Sequence, residues 1–179
     1  VREKCVVIAV QTVLKTLLAE GIQPHFVCAL DYHEISKRFY DDLDPADVAN
    51  VTLVAEGKVN AAVLDAYPGP VRMPSDPILD SLLPPELRGD HGAIRAGSTV
   101  AHLCYYLARH LGCDPVILTG QDLAFTDGVY YTRGTAIDDV WSTELNPFNT
   151  LAMMEWQRIV RHKGMLHRLR DVHDRPILT

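Results

Sequence analysis

The chain has 179 residues, of which 47% are hydrophobic and 22% charged, and its formal net charge is −6. That length suits one domain with a substantial core, and the charge disfavours a general surface for nucleic acid or anionic membrane. No apolar run approaches the roughly 20 residues that span a bilayer, and no signal peptide is visible.

Cys5–Val10 is a continuous apolar run, as expected of a strand covered on both faces. Gln11–Glu20 carries Val13, Leu14, Leu17 and Leu18 on one helical stripe, with Gly21 as its terminator and Pro24 beyond. Phe26–Leu30 reads as the second strand and delivers Asp31 at its end. Glu34–Leu43 reads as helical, and Asp44-Pro45 as a cap followed by proline in the first turn. Val51–Ala55 is a third strand, Asn60–Tyr67 a short helix and Pro70–Met73 a fourth strand. From Pro74 to Ala96, prolines and glycines loosen the pattern, which reads as a lid, a binding loop or a poorly ordered segment. A helix starting at Ser98 and closed by Gly112 follows, then a strand over Pro115–Thr119 and a polar loop over Gly120–Asn146. A last helix spans Phe148–Leu169.

Strands alternating with helices predict a Rossmann-like, three-layer α/β domain with a mostly parallel sheet. The expected division is residues 1–147 for that domain and 148–179 for a terminal helix and tail packed on it. The start at Val1, so close to a strand, reads as an excised piece of something longer, its first strand and loop lying upstream. Cys5, Cys28, Cys104 and Cys113 form no CxxC pair and fall in or beside apolar segments. They read as reduced core residues of a cytoplasmic protein, and not as a structural zinc site.

In open α/β sheets, ligands bind where helices begin and strands end. Gly97-Ser98-Thr99 opens a helix whose stripe Val100, Leu103, Cys104, Leu107, Ala108, Leu111 fixes it to the sheet. Its unpaired N–H groups suit a phosphate or carboxylate, although a plain serine N-cap is the commoner use. Gln121 and Asp122 follow a strand and line the crevice, or form a turn and cap. Asp31 ends another strand and suits a ribose hydroxyl, a metal through water, or general-base work; a helix cap is the alternative. Gln11 ends the first strand, where its amide suits a base or a ribose. His33 and the loop Tyr130, Tyr131, Thr132, Arg133 are weaker candidates. Arg158, Arg161, His162, Lys163, His167, Arg168 and Arg170 make a basic patch best read as a solvated helix face. Asp41, Asp42, Asp44 and Asp47 lack the spacing of a calcium loop. No HExxH, GxSxG, GxxxxGK[ST] or GxGxxG occurs.

Gly21–Asp31, GIQPHFVCALD, resembles the pattern G-I-x-P-D-F-V-V-x-L-D, and Gly97–Gly128 resembles G-S-V-A-x-x-A…L-G…I-x-L-x-G-Q-D-L-A-F. Together they resemble the 6-hydroxymethylpterin diphosphokinase MptE-like domain, also the central part of the motility-associated factor (Maf) glycosyltransferases. The resemblance implies a fold related to sialyltransferases of the CMP-sugar type. By it, Gln11 and Asp31 face the nucleotide, Gly97, Ser98 and Thr99 contact its phosphate or ribose, and Gln121 and Asp122 line the sugar side. His25 stands where Asp is usual, Gln11 where Asn is common, and the family's glycine-rich first loop would precede Val1.

The leading expectation is a glycosyltransferase-like enzyme with a nucleotide-activated, CMP-type sugar as substrate. Asp31 or Asp122 serves as base or orienting carboxylate, a protein is a candidate acceptor, and no firm cofactor is implied. The first alternative is a diphosphokinase using ATP and magnesium, with Asp31 and Asp122 as ligands. The second is a non-catalytic binding module.

Overall fold

The computed structural model describes residues 2–88, 92–121, 123–125, 129, 131, 134–161, 164, 166–174 and 176–178. They fall into two units, residues 1–116 and 117–179.

In the first unit, four apolar runs pair as one parallel sheet in the order β1-β2-β3-β4: β1 Ile8–Val10, β2 Phe26–Ala29, β3 Thr52–Ala55 and β4 Val71–Arg72. The connections carry a 3-10 turn Gln11–Val13 running into α1 (Leu14–Ala19), a second 3-10 turn Glu34–Phe39 with α2 (Pro45–Val48), and α3 (Ala61–Ala66). Helices α2 and α3 start at side-chain caps. Asp44 accepts from Ala46 N at 2.8 Å with Pro45 in the first turn, and Asn60 accepts from Ala62 N at 3.0 Å. The strand order advances without reversal, so right-handed crossovers put all three connections on one face. The loose segment after β4 contains α4 (Pro77–Leu82), capped by Asp76, and a 3-10 turn Pro85–Leu87.

The opposite face carries α5 (Val100–His110). The pairing Cys28↔Val54↔Arg72 and Ile8↔Phe26 sets which side chains share that face. Cys28, Val54, Leu103 and Leu107 form a buried cluster there, with Ile8, Phe26, Val100 and Cys104 packed against it. The alternate residues Ala9, Val27, Ala29, Leu53 and Ala55 are buried on the other side. The expected three-layer α/β arrangement with a parallel sheet is therefore present.

His25 takes a structural role at the entry to this sheet. Its Nδ1 accepts from Val7 N at 3.1 Å, a bond that an aspartate oxygen would also accept. Burial and, second, the Arg2 guanidinium hold its pKa below the usual histidine value. Protonation removes that acceptor. The unfolded chain therefore takes up a proton near pH ~6.5 that the folded chain resists, so this contribution is complete above that pH and is lost as pH falls through the lowered folded value. The urea midpoint of the wild type is expected to drop further between pH 7 and 5 than that of His25→Asn, which keeps an acceptor but cannot titrate. Parallel profiles for the two proteins would refute this.

The second unit contains α6 (Ala136–Ser142), α7 (Leu151–Val160) and an antiparallel hairpin, β5 (Arg168–Arg170) with β6 (Pro176–Leu178). Trp141, Met154 and Ile159 are buried in it, and the Arg158 guanidinium lies 5.8 Å from the Trp141 ring centroid.

Several expectations are corrected. Residues 115–119 form no strand: Ile117 and Leu118 are 79% and 63% exposed, and no strand among the described residues offers them a ladder. The last helix ends at Val160, because its apolar spacing stops at Ile159 and Gly164 follows; Arg168 and Arg170 belong to β5 instead. The loop 120–146 contains α6. None of the four cysteines is in a disulfide, but Cys5 is exposed in the turn before β1 and does not belong to the core.

Candidate functional site

Parallel pairing brings the carboxyl ends of β1 to β4 to one edge, and the residues that directly follow those ends are Gln11, Leu30, Glu56 and Met73, with Asp31 next after Leu30. Helix α5 runs antiparallel to the strands. Cys104 Sγ donates to Ala9 O at 3.6 Å in the middle of β1, whereas Leu107, one turn later, borders a cleft with Phe26 at the start of β2. The first turn of α5 is thus on the carboxyl edge too.

Gln11 is 1% exposed and connects two partners. Its Nε2 donates to Asp31 Oδ2, and its Oε1 accepts from the Tyr40 hydroxyl at 3.0 Å. The carboxylate can only accept, so the amide orientation follows: nitrogen toward Asp31, oxygen toward Tyr40. Tyr40 is buried and packs edge-on to Tyr67 with ring centroids 5.2 Å apart; Tyr67 donates to Val51 O at 2.7 Å. Burial above all, with lesser contributions from Tyr67, Cys28 and Asp31, pushes the Tyr40 hydroxyl pKa well up, so it stays a neutral donor. Among the described residues no other side chain or amide donates to the half-buried Asp31 carboxylate. The backbone around it is tied down: Asn60 N donates to Asp31 O at 3.1 Å and Asn60 Nδ2 to Tyr32 O at 3.1 Å.

At the start of α5 the N-cap is Thr99 and not Ser98, and the helix proper begins at Val100. Gly97 adopts φ +72°, open to glycine at little cost. His102 folds back over this turn, its Nδ1 accepting from Ser98 N at 3.3 Å and lying 3.2 Å from Thr99 Oγ1. A ligand anion reaching Ser98 N would compete with this imidazole.

The structure therefore joins Gln11 to Asp31 directly and places Gly97, Ser98 and Thr99 on the same edge of the first unit. Gln121 is exposed and belongs to the second unit. Asp122 lies outside the described residues, as do Tyr130, Thr132 and Arg133. His33 is exposed and stacks on Tyr32 at 4.1 Å between centroids.

Glu56 is the residue that sequence reasoning passed over. It directly follows β3, and its side chain is only 6% exposed. A charged residue directly after an apolar strand was the available signal. Among the described residues no group of three or more His, Cys, Asp or Glu side chains is placed to hold a metal ion, and no helix is long and apolar enough to cross a membrane.

The architecture is that of an α/β domain whose carboxyl edge combines a carboxylate just beyond a strand end with a helix N-terminus. The model of the 6-hydroxymethylpterin diphosphokinase MptE-like family matches residues 1–128, and the chain belongs to that family. Among solved structures, the chain is similar to the Maf glycosyltransferase from Magnetospirillum magneticum AMB-1, with 27% identity and a TM-score of 0.50. That likeness covers 62% of this chain but only 18% of the other. No match was found among curated proteins.

Proposed function

We propose that the chain is the nucleotide-binding part of a glycosyltransferase-like enzyme whose donor is a nucleotide-activated sugar of the CMP type. The observation that carries this reading is the buried Tyr40–Gln11–Asp31 chain at the carboxyl edge, on the same edge as the first turn of α5. Likeness to a structure titled as a glycosyltransferase supports it, and kinship with CMP-sugar sialyltransferases is part of it. In this reading Gln11 holds the Asp31 carboxylate in one orientation toward a ribose or acceptor hydroxyl. The N–H groups of Ser98 and Thr99 meet the phosphate as negative charge develops on it. Asp31 or Asp122 takes the proton from the acceptor hydroxyl, and Gln121 lines the sugar side. Free cysteines fit a cytoplasmic location.

A second reading, an ATP- and magnesium-dependent diphosphokinase, has the family's own description in its favour. There Asp31 and Asp122 would hold the magnesium that bridges the phosphates.

Calorimetric titration with CMP and, separately, with ATP plus Mg²⁺ distinguishes these. Saturable CMP binding without metal is expected, weakened about tenfold by Ser98→Pro, which removes one N–H donor. Metal-dependent ATP binding alone would favour the second reading. No binding of either by the folded protein would favour a binding module. Unchanged CMP affinity in Ser98→Pro, Ser98→Ala and Asp122→Asn would remove the proposed roles of these residues.

A further inference from the structure

Glu56 raises a question that the reading above does not answer. An ionised carboxylate out of water needs most of its lone pairs met. Within the described residues Glu56 has one partner residue, Lys58: the Lys58 amide donates to Oε2 at 2.9 Å, and its ammonium lies 3.1 Å from Oε1. Lys58 itself is 66% exposed, a weak counter-charge in solvent. Two of roughly four acceptor positions are thereby used. Beside the carboxylate lies a cleft of about 170 Å³, lined by Glu56, Gly57, Ser75, Asp76, Ile94 and Arg95 among others. At ~30 Å³ per water it has room for about five waters, or for one sugar ring in their place.

The chemistry of the lining narrows the occupant. A free carboxylate edge calls for O–H or N–H donors. Arg95 and Lys58 beside it disfavour a cation, and Glu56 disfavours an anion at the cleft floor. Asp76 caps α4 through Oδ1, which accepts from Ile78 N at 2.8 Å and Leu79 N at 3.1 Å. The wall Ala93–Ala96 continues directly into Gly97, so the cleft adjoins the first turn of α5.

We infer that the Glu56 cleft is a hydroxyl-binding subsite in which the carboxylate accepts from a vicinal diol of a sugar, carried on its ring (ribose) or on its side chain (the glycerol chain of N-acetylneuraminate). This rests on the nucleotide-sugar reading for its ligand, and the diol belongs either to the ribose or to the transferred sugar.

The test titrates the full chain, as wild type, Glu56→Gln and Ala93→Leu, with CMP, 2′,3′-dideoxy-CMP and CMP-N-acetylneuraminate. Ala93→Leu narrows the cleft while leaving Glu56 and Lys58 in place, so it reports even where Glu56→Gln perturbs folding. If the ribose is bound there, wild type prefers CMP over the dideoxy form by about tenfold or more, and both variants abolish the preference. If the transferred sugar is bound there, wild type prefers CMP-N-acetylneuraminate over CMP, and both variants abolish that preference instead. Preferences that persist in both variants, or absent preferences in wild type, overturn the subsite and leave the nucleotide reading standing. Failure of wild type to bind CMP at all overturns the nucleotide reading. Saturation-transfer NMR with free ribose and free N-acetylneuraminate then judges the cleft alone, and equal transfer to wild type and both variants overturns it.

Discussion

Gly97→Ala is expected to destabilise the protein by about 2–4 kcal/mol in urea denaturation and to reduce CMP affinity at least tenfold. Two costs act together. A side chain at φ +72° sits in the left-handed region, which costs an L-residue roughly 1–2 kcal/mol. The new Cβ would also stand 2.4 Å from the Cβ of His102, well inside van der Waals contact. The clash is with the root of the imidazole, not its flexible end, so a rotamer change does not relieve it. The helix start must shift, and Ser98 N and Thr99 Oγ1 lose their contacts with His102. Adding His102→Gly should recover the steric part but leave the conformational part, so the double variant falls between wild type and Gly97→Ala after correction for His102→Gly alone. A loss below about 0.5 kcal/mol for Gly97→Ala would mean that this turn is far more plastic than described.

Gln11→Ala is expected to cost about 3 kcal/mol, because it leaves a cavity and strands the buried Tyr40 hydroxyl. Tyr40→Phe should cost less, about 1 kcal/mol, since it removes one neutral hydrogen bond while Gln11 keeps its bond to Asp31. A double-mutant cycle should show coupling near 1 kcal/mol: once Tyr40 is phenylalanine, no hydroxyl remains to be stranded. Additive losses would show that Tyr40 and Gln11 act independently. Asp31→Asn separates orientation from charge. It keeps an acceptor for Gln11 and should leave stability within about 1 kcal/mol of wild type while abolishing any role as base.

The parts of this architecture legible in the sequence are those fixed by local chemistry. Asp44 caps the helix it was expected to cap, with Pro45 in its first turn, the short helix read from Asn60 starts there, and the apolar runs around Val7, Val27, Leu53 and Val71 contain the four strands. That Gln11 and Asp31 share an edge also follows from local reading, since Gln11 directly follows one parallel strand and Asp31 lies two residues beyond the end of another. What failed depended on distant partners. The run at Pro115–Thr119 has strand composition, but a strand exists only with a neighbour to pair with. The segment after Val160 lost helicity to a hairpin whose second strand lies several residues further on. Ser98 and Thr99 are both acceptable caps, and the choice fell to Thr99, whose Oγ1 accepts from His102 N at 3.4 Å. Glu56 was the costliest omission. Glu56-Gly57-Lys58 has the composition of a solvated turn, and nothing local reveals the residues of 74–77 and 93–96 that enclose it.

The continuity of residues 93–99 also bears on how such a domain can change over time. One short stretch walls the Glu56 cleft and then, with no element between, becomes the first turn of α5. An insertion or altered residue there shifts both neighbourhoods at once, so, on the proposed nucleotide-sugar reading, sugar preference and phosphate handling are not free to drift separately. Divergence of specificity is, on that reading, channelled toward the β4 side of the cleft, where the side chains of Ser75 and Pro77 lie outside the stretch that forms the helix start.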